Sequence, residues 1–93
     1  MKPITMFYLE DCGYCTRAQR ILEELIRENA EYAKVEITRI EESQQPSLVE
    51  QYDYYAVPSF FDGCKKLFEA RLFMSDKDLR EEVQKVLDYA LAN

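Results

Sequence analysis

The sequence contains no histidine and no tryptophan, and only two glycines and three prolines among its 93 residues. Without histidine, the chain lacks the side chain that most often serves as a general base near neutral pH and the commonest nitrogen ligand of zinc. Its three cysteines are an odd number, which does not suit a secreted framework of paired disulfides. We therefore expect a small cytoplasmic domain whose thiols are mostly reduced.

Long apolar runs and positive charge are also scarce. No stretch approaches the roughly 18 apolar residues of a membrane span, and the N-terminal segment does not have the pattern of a signal peptide. Lys and Arg number 12 against 18 Asp and Glu, for a net charge of -6. Nucleic acids and anionic membranes attract clustered basic residues, so we expect neither as a partner. The acidic surface and small size predict a monomer.

The chain does contain a regular succession of strand and helix patterns. Apolar runs predict strands, and apolar residues three and four positions apart predict helices. The predicted elements are a strand at 4–9, a helix at 13–29, a strand at 33–40, a short helix from Pro46, a hairpin of two strands around Asp62-Gly63, and a C-terminal helix capped by Ser75 and Asp78. The order β-α-β-α-β-β-α predicts one α/β domain over residues 1–93, with a mixed four-stranded sheet and three helices on its two faces.

Two local patterns give sharper expectations. Within 33–40 the residues alternate, with Val35 and Ile37 on one side, which is typical of a half-exposed strand. Asp62-Gly63 lies between two β-rich segments and predicts the two central residues of a type I′ turn.

Cys12 and Cys15 stand in "DCGYC", at the predicted junction of the first strand and the first helix. Their spacing lets the two sulfurs meet with little backbone movement, and it directs helix N–H groups toward Cys12, which favours a thiolate. The pair alone leaves three interpretations open: a redox dithiol, half of a metal or iron–sulfur site shared with a second copy, or two structural thiols. Structural zinc needs four ligands, so we expect no metal site within a single chain.

The strand–"CGYC"–helix arrangement, followed downstream by Val57-Pro58 at the start of a hairpin, resembles the thioredoxin superfamily. The chain length, and Tyr14 inside the motif, are similar to glutaredoxins. The resemblance covers essentially the whole chain and implies the thioredoxin fold. It also implies that Cys12 attacks, that Cys15 resolves, and that a cis Val57-Pro58 step faces the dithiol and pairs with substrate, with Tyr14 lining the groove.

The same resemblance implies a role for Asp76, as acceptor for the α-amino group of glutathione. The sequence departs from the glutaredoxin pattern close to the relevant positions. Gly13 stands where a proline is typical, Leu9 where a lysine is frequent, and Phe73 and Met74 where two glycines precede the last helix.

The function implied is that of a thiol–disulfide oxidoreductase that reduces protein or glutathione mixed disulfides, with no tightly bound cofactor. Its electrons would come from glutathione or from a flavin-dependent reductase, and its partners would be disulfide-containing proteins. The alternatives are a metal or iron–sulfur cluster binding module that uses the same cysteines, and a redox sensor with little turnover. Cys64, at the hairpin turn, is interpreted as an incidental, exposed thiol.

Overall fold

The computed structural model describes residues 1–93 and contains one mixed four-stranded β-sheet with helices on both faces. The elements are β1 (Ile4–Tyr8), α1 (Gly13–Glu28), a 3₁₀ helix (Ala30–Lys34), β2 (Ile37–Glu41), a 3₁₀ turn (Glu42–Gln44), α2 (Pro46–Val49), β3 (Ser59–Asp62), β4 (Lys65–Glu69) and α3 (Asp76–Ala92). The strand order is β2-β1-β3-β4, with β1 and β2 parallel and the other two pairs antiparallel. The predicted fold class is confirmed.

Two cores lie on opposite faces of the sheet, and β1 contributes to both. Ile4 and Met6 belong to a cluster of 17 buried residues that also includes the apolar faces of α1 and α3. Phe7 points to the other face, where its ring packs against those of Tyr52 and Tyr54 at centroid distances of 4.7 and 4.9 Å. Because side chains alternate along a strand, β1 packs against a core on each face of the sheet. This packing fixes the position of its C-terminal end, which leads directly to Cys12.

The predicted strand at 33–40 is wrong in its first half. Residues Ala30–Lys34 form a 3₁₀ helix, and the strand begins only at Ile37. Tyr32 explains the difference, because its ring is buried and its hydroxyl donates a hydrogen bond to Asp88 of α3 at 2.6 Å. This contact joins residues far apart in the sequence, so the local alternation of polar and apolar residues does not contain it.

The hairpin is present, but its turn lies one residue later than predicted. Asp62 still pairs with Lys65, so Gly63 and Cys64 are the central residues. Gly63 has a φ of 56° and Cys64 does not share the left-handed conformation, so the turn is not of type I′. Asp62 accepts a hydrogen bond from the Tyr89 hydroxyl at 2.8 Å, which ties it to α3 as part of the strand.

The two long helices match their predicted extents closely. The side chain of Cys12 caps α1, and Ser75 and Asp78 form the predicted capping box in front of α3. None of the helices combines the length and the apolar character that crossing a bilayer requires.

Candidate active site

The two cysteines of the motif occupy different positions in the first turn of α1. Cys12 is the N-cap residue, and its sulfur accepts a hydrogen bond from the Cys15 N–H at 3.2 Å. The Cys12 side chain is partly exposed, whereas Cys15 is buried, with only 1% of its surface accessible. The two thiols lie close together without being disulfide-bonded. Only Cys12 is therefore open to a substrate, and Cys15 faces Cys12 from inside the protein.

The surroundings of Cys15 keep it protonated. Burial raises the pKa of its thiol from 9.0 to about 12, and the hydrogen bond to the Cys12 side chain adds to the effect. The charges of Cys12 and Glu42 raise this pKa further, while a hydrogen bond with the backbone of Leu9 lowers it. At neutral pH, Cys15 in the reduced protein is consequently a neutral thiol.

The loop before β3 brings Val57 and Pro58 to the dithiol. The Cys12 thiol donates to the Val57 carbonyl oxygen, with a sulfur–oxygen distance of 3.6 Å. The Val57-Pro58 peptide bond is cis, which is the geometry that the family resemblance implies. Pro58 is buried, and its carbonyl accepts a hydrogen bond from the Ala70 N–H at 3.0 Å. The Val57 N–H has no hydrogen-bond partner within the chain, so it is free to pair with an extended segment beside Cys12.

Tyr14 connects the motif to the loop before α3. Its hydroxyl accepts a hydrogen bond from the Phe73 N–H at 2.7 Å, and the Arg17 guanidinium lies over its ring, 4.6 Å from the centroid. Phe73 has a φ of 65°, which is uncommon for a residue other than glycine, and 92% of its side chain is exposed. Tyr14 is thus half-buried between Arg17 and this loop.

Asp76 lies in an ion-pair cluster beside Tyr14. Its two carboxylate oxygens contact Arg17 Nη1 at 2.8 Å and Arg20 Nη2 at 3.1 Å. These hydrogen bonds, first from Arg17 and then from Arg20, lower the pKa of the Asp76 carboxyl. Arg17 also donates to the Met74 carbonyl at 3.3 Å, which fixes the loop to α1.

The predicted site residues therefore fall into two groups. Cys12, Cys15, Val57 and Pro58 form one connected centre. Tyr14 borders this centre, whereas Asp76 is held by arginines of α1. Cys64 lies apart, exposed in the turn between β3 and β4, as interpreted from the sequence.

Glu42 is a further residue of the site, and it belongs to none of the motifs recognised in the sequence. It accepts a hydrogen bond from the Tyr54 hydroxyl at 3.0 Å, and its charge contributes to the raised pKa of Cys15. The available signal was its position. Tyr8 pairs with Glu41 in the parallel β1–β2 ladder. Glu42 therefore follows the C-terminal end of β2, beside the C-terminal end of β1 that leads into the motif.

No group of three or more histidine, cysteine, aspartate or glutamate side chains is placed to hold a metal ion. A metal bound by Cys12 and Cys15 would need further ligands from a second copy of the chain.

The arrangement matches proteins of the thioredoxin fold. The oxidised thioredoxin from Plasmodium falciparum superimposes with a TM-score of 0.61 at 22% identity, covering 94% of this chain and 79% of that chain. The germline-specific thioredoxin Deadhead from Drosophila melanogaster gives a TM-score of 0.58 at 21% identity, covering 89% of this chain and 78% of that chain. A malarial protein gives a TM-score of 0.58 at 17% identity, covering 88% of this chain and 92% of that chain.

The family is defined by sequence. The family model Glutaredoxin matches residues 4–64, which is more than half of the chain and includes the motif and Val57-Pro58. The chain belongs to the glutaredoxin family. No curated protein sequence matches it significantly.

Proposed function

We propose that the protein is a disulfide reductase in which Cys12 attacks the substrate and Cys15 releases the product. The observation that supports this proposal most strongly is the unequal placement of the two thiols. An accessible sulfur at the helix N-cap stands next to a buried, protonated one. Thiolate is the nucleophilic form of cysteine, and a helix N-terminus favours it.

The reaction balances in two steps. The Cys12 thiolate attacks one sulfur of a substrate disulfide, forms a mixed disulfide, and expels the other sulfur as a thiolate that takes up a proton. Cys15 then loses its proton and attacks the Cys12 sulfur. The bond from Cys12 to the substrate breaks, and the second substrate thiolate leaves and is protonated. Two electrons pass to the substrate, and Cys12 and Cys15 become a disulfide.

The proposal includes a setting and partners. The protein acts as a monomer in the reducing cytoplasm, carries electrons to disulfide-containing proteins, and contributes to cellular redox homeostasis. It needs no tightly bound cofactor, and glutathione or a flavin-dependent reductase restores the dithiol. Metal or cluster binding by the same cysteines is less favourable, because structural zinc needs four ligands and no third cysteine, aspartate or glutamate side chain is placed beside Cys12 and Cys15 to share a metal ion.

Equilibration in glutathione redox buffers, followed by thiol trapping and intact-mass measurement, tests this proposal. We expect a reversible loss of two thiols in the wild type and in a Cys64→Ser control, and no internal disulfide in Cys12→Ser or Cys15→Ser. The same four proteins are then assayed with a disulfide-containing protein substrate. Full activity in Cys12→Ser, or no disulfide across the whole buffer range, would contradict the proposed mechanism.

A further inference from the structure

We infer that the site prefers an extended, apolar segment of a disulfide-bearing protein to glutathione. The inference rests on the proposed function, because the substrate must present a sulfur to Cys12. It depends on which recognition groups around Cys12 are engaged within the chain and which remain free.

The charged groups near Tyr14 are engaged with one another. Glutathione carries two carboxylates and one ammonium group, and it needs complementary charges to be held. Arg17 and Arg20 both pair with the Asp76 carboxylate, at 2.8 and 3.1 Å. The acidic side chains of Glu10 and Asp11, next to Cys12, are exposed and form no ion pair. The net negative charge of glutathione is therefore repelled at this end of the motif.

Several backbone amides that would suit a carboxylate are also engaged. The Phe73 N–H donates to the Tyr14 hydroxyl at 2.7 Å. The N–H groups of Ser75 and Asp78 are taken by the capping box, each donating to the side chain of the other residue at 3.4 and 3.1 Å. Binding a carboxylate through these amides would require breaking existing hydrogen bonds, which offsets part of the gain from the new ones.

Large apolar side chains, in contrast, are exposed in the two loops that contact the motif. Apart from Met1, the large exposed hydrophobic side chains of the whole chain are Tyr55, Leu72 and Phe73, with exposures of 93, 77 and 92%. We call these three residues the apolar rim. Tyr55 lies two residues before Val57, whose carbonyl contacts Cys12. Leu72 directly precedes Phe73, whose N–H donates a hydrogen bond to the Tyr14 hydroxyl. Large apolar side chains left exposed next to segments that border a reactive thiol are suited to contact a partner.

The free Val57 N–H completes the requirements for a protein segment. An extended backbone passing Cys12 can accept a hydrogen bond from this N–H in the manner of an added strand. Its side chains on either side of the reacting cysteine then contact the apolar rim. Glutathione offers no large apolar side chain for Tyr55 or Phe73 to contact, because its own side groups are small or charged.

A competition experiment tests this preference with Cys15→Ser, in which a mixed disulfide on Cys12 accumulates. The protein is incubated with glutathione disulfide and, at equal concentration, the disulfide dimer of a capped peptide whose cysteine is flanked by leucine and phenylalanine. Intact mass gives the ratio of the two adducts. We expect the peptide adduct to exceed the glutathione adduct by about tenfold.

Two substitutions, each made in the Cys15→Ser protein, separate the contribution of the exposed apolar ring from that of the charged groups. Phe73→Gly removes the ring and retains the backbone, because glycine readily adopts a positive φ. We expect it to lower the peptide preference several-fold. Asp76→Asn removes the carboxylate that Arg17 and Arg20 share, which leaves more positive charge available, and we expect it to raise the share of glutathione adduct. Glu36→Gln makes the same charge change at the N-terminal end of the parallel β1–β2 pair, whereas the dithiol follows the C-terminal end of β1. It should leave the ratio unchanged.

The outcomes distinguish the inference from the proposed function. Adducts that form mainly with glutathione, or a ratio that neither substitution changes, would overturn the inference while leaving Cys12 as the nucleophile. The absence of any adduct with either probe would overturn the proposed function and the inference with it.

Discussion

Cys12 and Cys15 share one turn of a helix, yet their surroundings give them opposite properties. The N-cap position leaves the Cys12 sulfur accessible and directs the Cys15 N–H at it. One turn further along, the Cys15 thiol is enclosed, and its pKa is raised to about 12, chiefly by burial. This difference allows Cys12 to react with a substrate while Cys15 stays protonated until the mixed disulfide has formed.

Glu42 offers a test of how the second step depends on pH. In the reduced protein, burial and, to a smaller extent, the charge of Glu42 raise the pKa of Cys15, and a bond from Cys12 to substrate removes neither of these two causes. Product release should therefore accelerate as pH rises from neutral toward the pKa of Cys15, since the thiolate is the attacking form. Glu42→Gln removes a negative charge, so it should lower this pKa and move the rise to lower pH.

Single-turnover release of product thiol, measured at a series of pH values, gives the two profiles. Glu36→Gln, which also removes one carboxylate, serves as the control and should follow the wild type. A Glu42→Gln profile that coincides with the wild type, or that moves to higher pH, would show that the Glu42 charge does not hold back ionisation of Cys15.

At the scale of the elements, local pattern decided what could be predicted. The bounds of α1 and α3 follow from apolar spacing and from capping residues, all within a few positions of one another. The start of β2 does not follow from such local spacing, because it depends on the hydrogen bond from the Tyr32 hydroxyl to Asp88 of α3. The candidate site divides in the same way. The dithiol and Val57-Pro58 were recognisable, whereas the contact between Tyr14 and Phe73 joins residues 59 positions apart.

The capping box of α3 gives a prediction for one element. The Ser75 hydroxyl accepts a hydrogen bond from the Asp78 N–H at 3.1 Å. Ser75→Ala leaves this N–H without its partner and should lower the free energy of unfolding by about 1 kcal/mol. Chemical denaturation measures the change. Ser47→Ala is the matched control, because the Ser47 side chain is exposed and makes no hydrogen bond, and a loss as large in this control would argue against a capping effect.

At the scale of the whole molecule, the sequence predicts that the net charge is negative, and the structure shows which acidic side chains have no basic partner. The net charge is -6. Arg17 and Arg20 pair with Asp76, and Arg20 also pairs with Glu24, so two positive charges face two negative ones. Glu10 and Asp11, immediately before Cys12, form no ion pair. The entrance to the dithiol is consequently acidic, although two arginines lie in the same helix. A substrate with basic residues beside its disulfide should be attracted there.

Two capped peptide disulfides that differ only in lysine or glutamate at the outer positions test this attraction. At low ionic strength, about 0.01 M, kcat/KM should be about two- to fivefold higher for the lysine peptide, as expected for exposed charge pairs. Raising the salt to about 1 M shortens the screening length to about 3 Å, which should nearly abolish the difference. The double substitution Glu10→Gln and Asp11→Asn should reduce it at low salt, and Glu36→Gln should not. A lysine preference that persists at high salt would mean that direct contacts, and not the charge around Cys12, select the substrate.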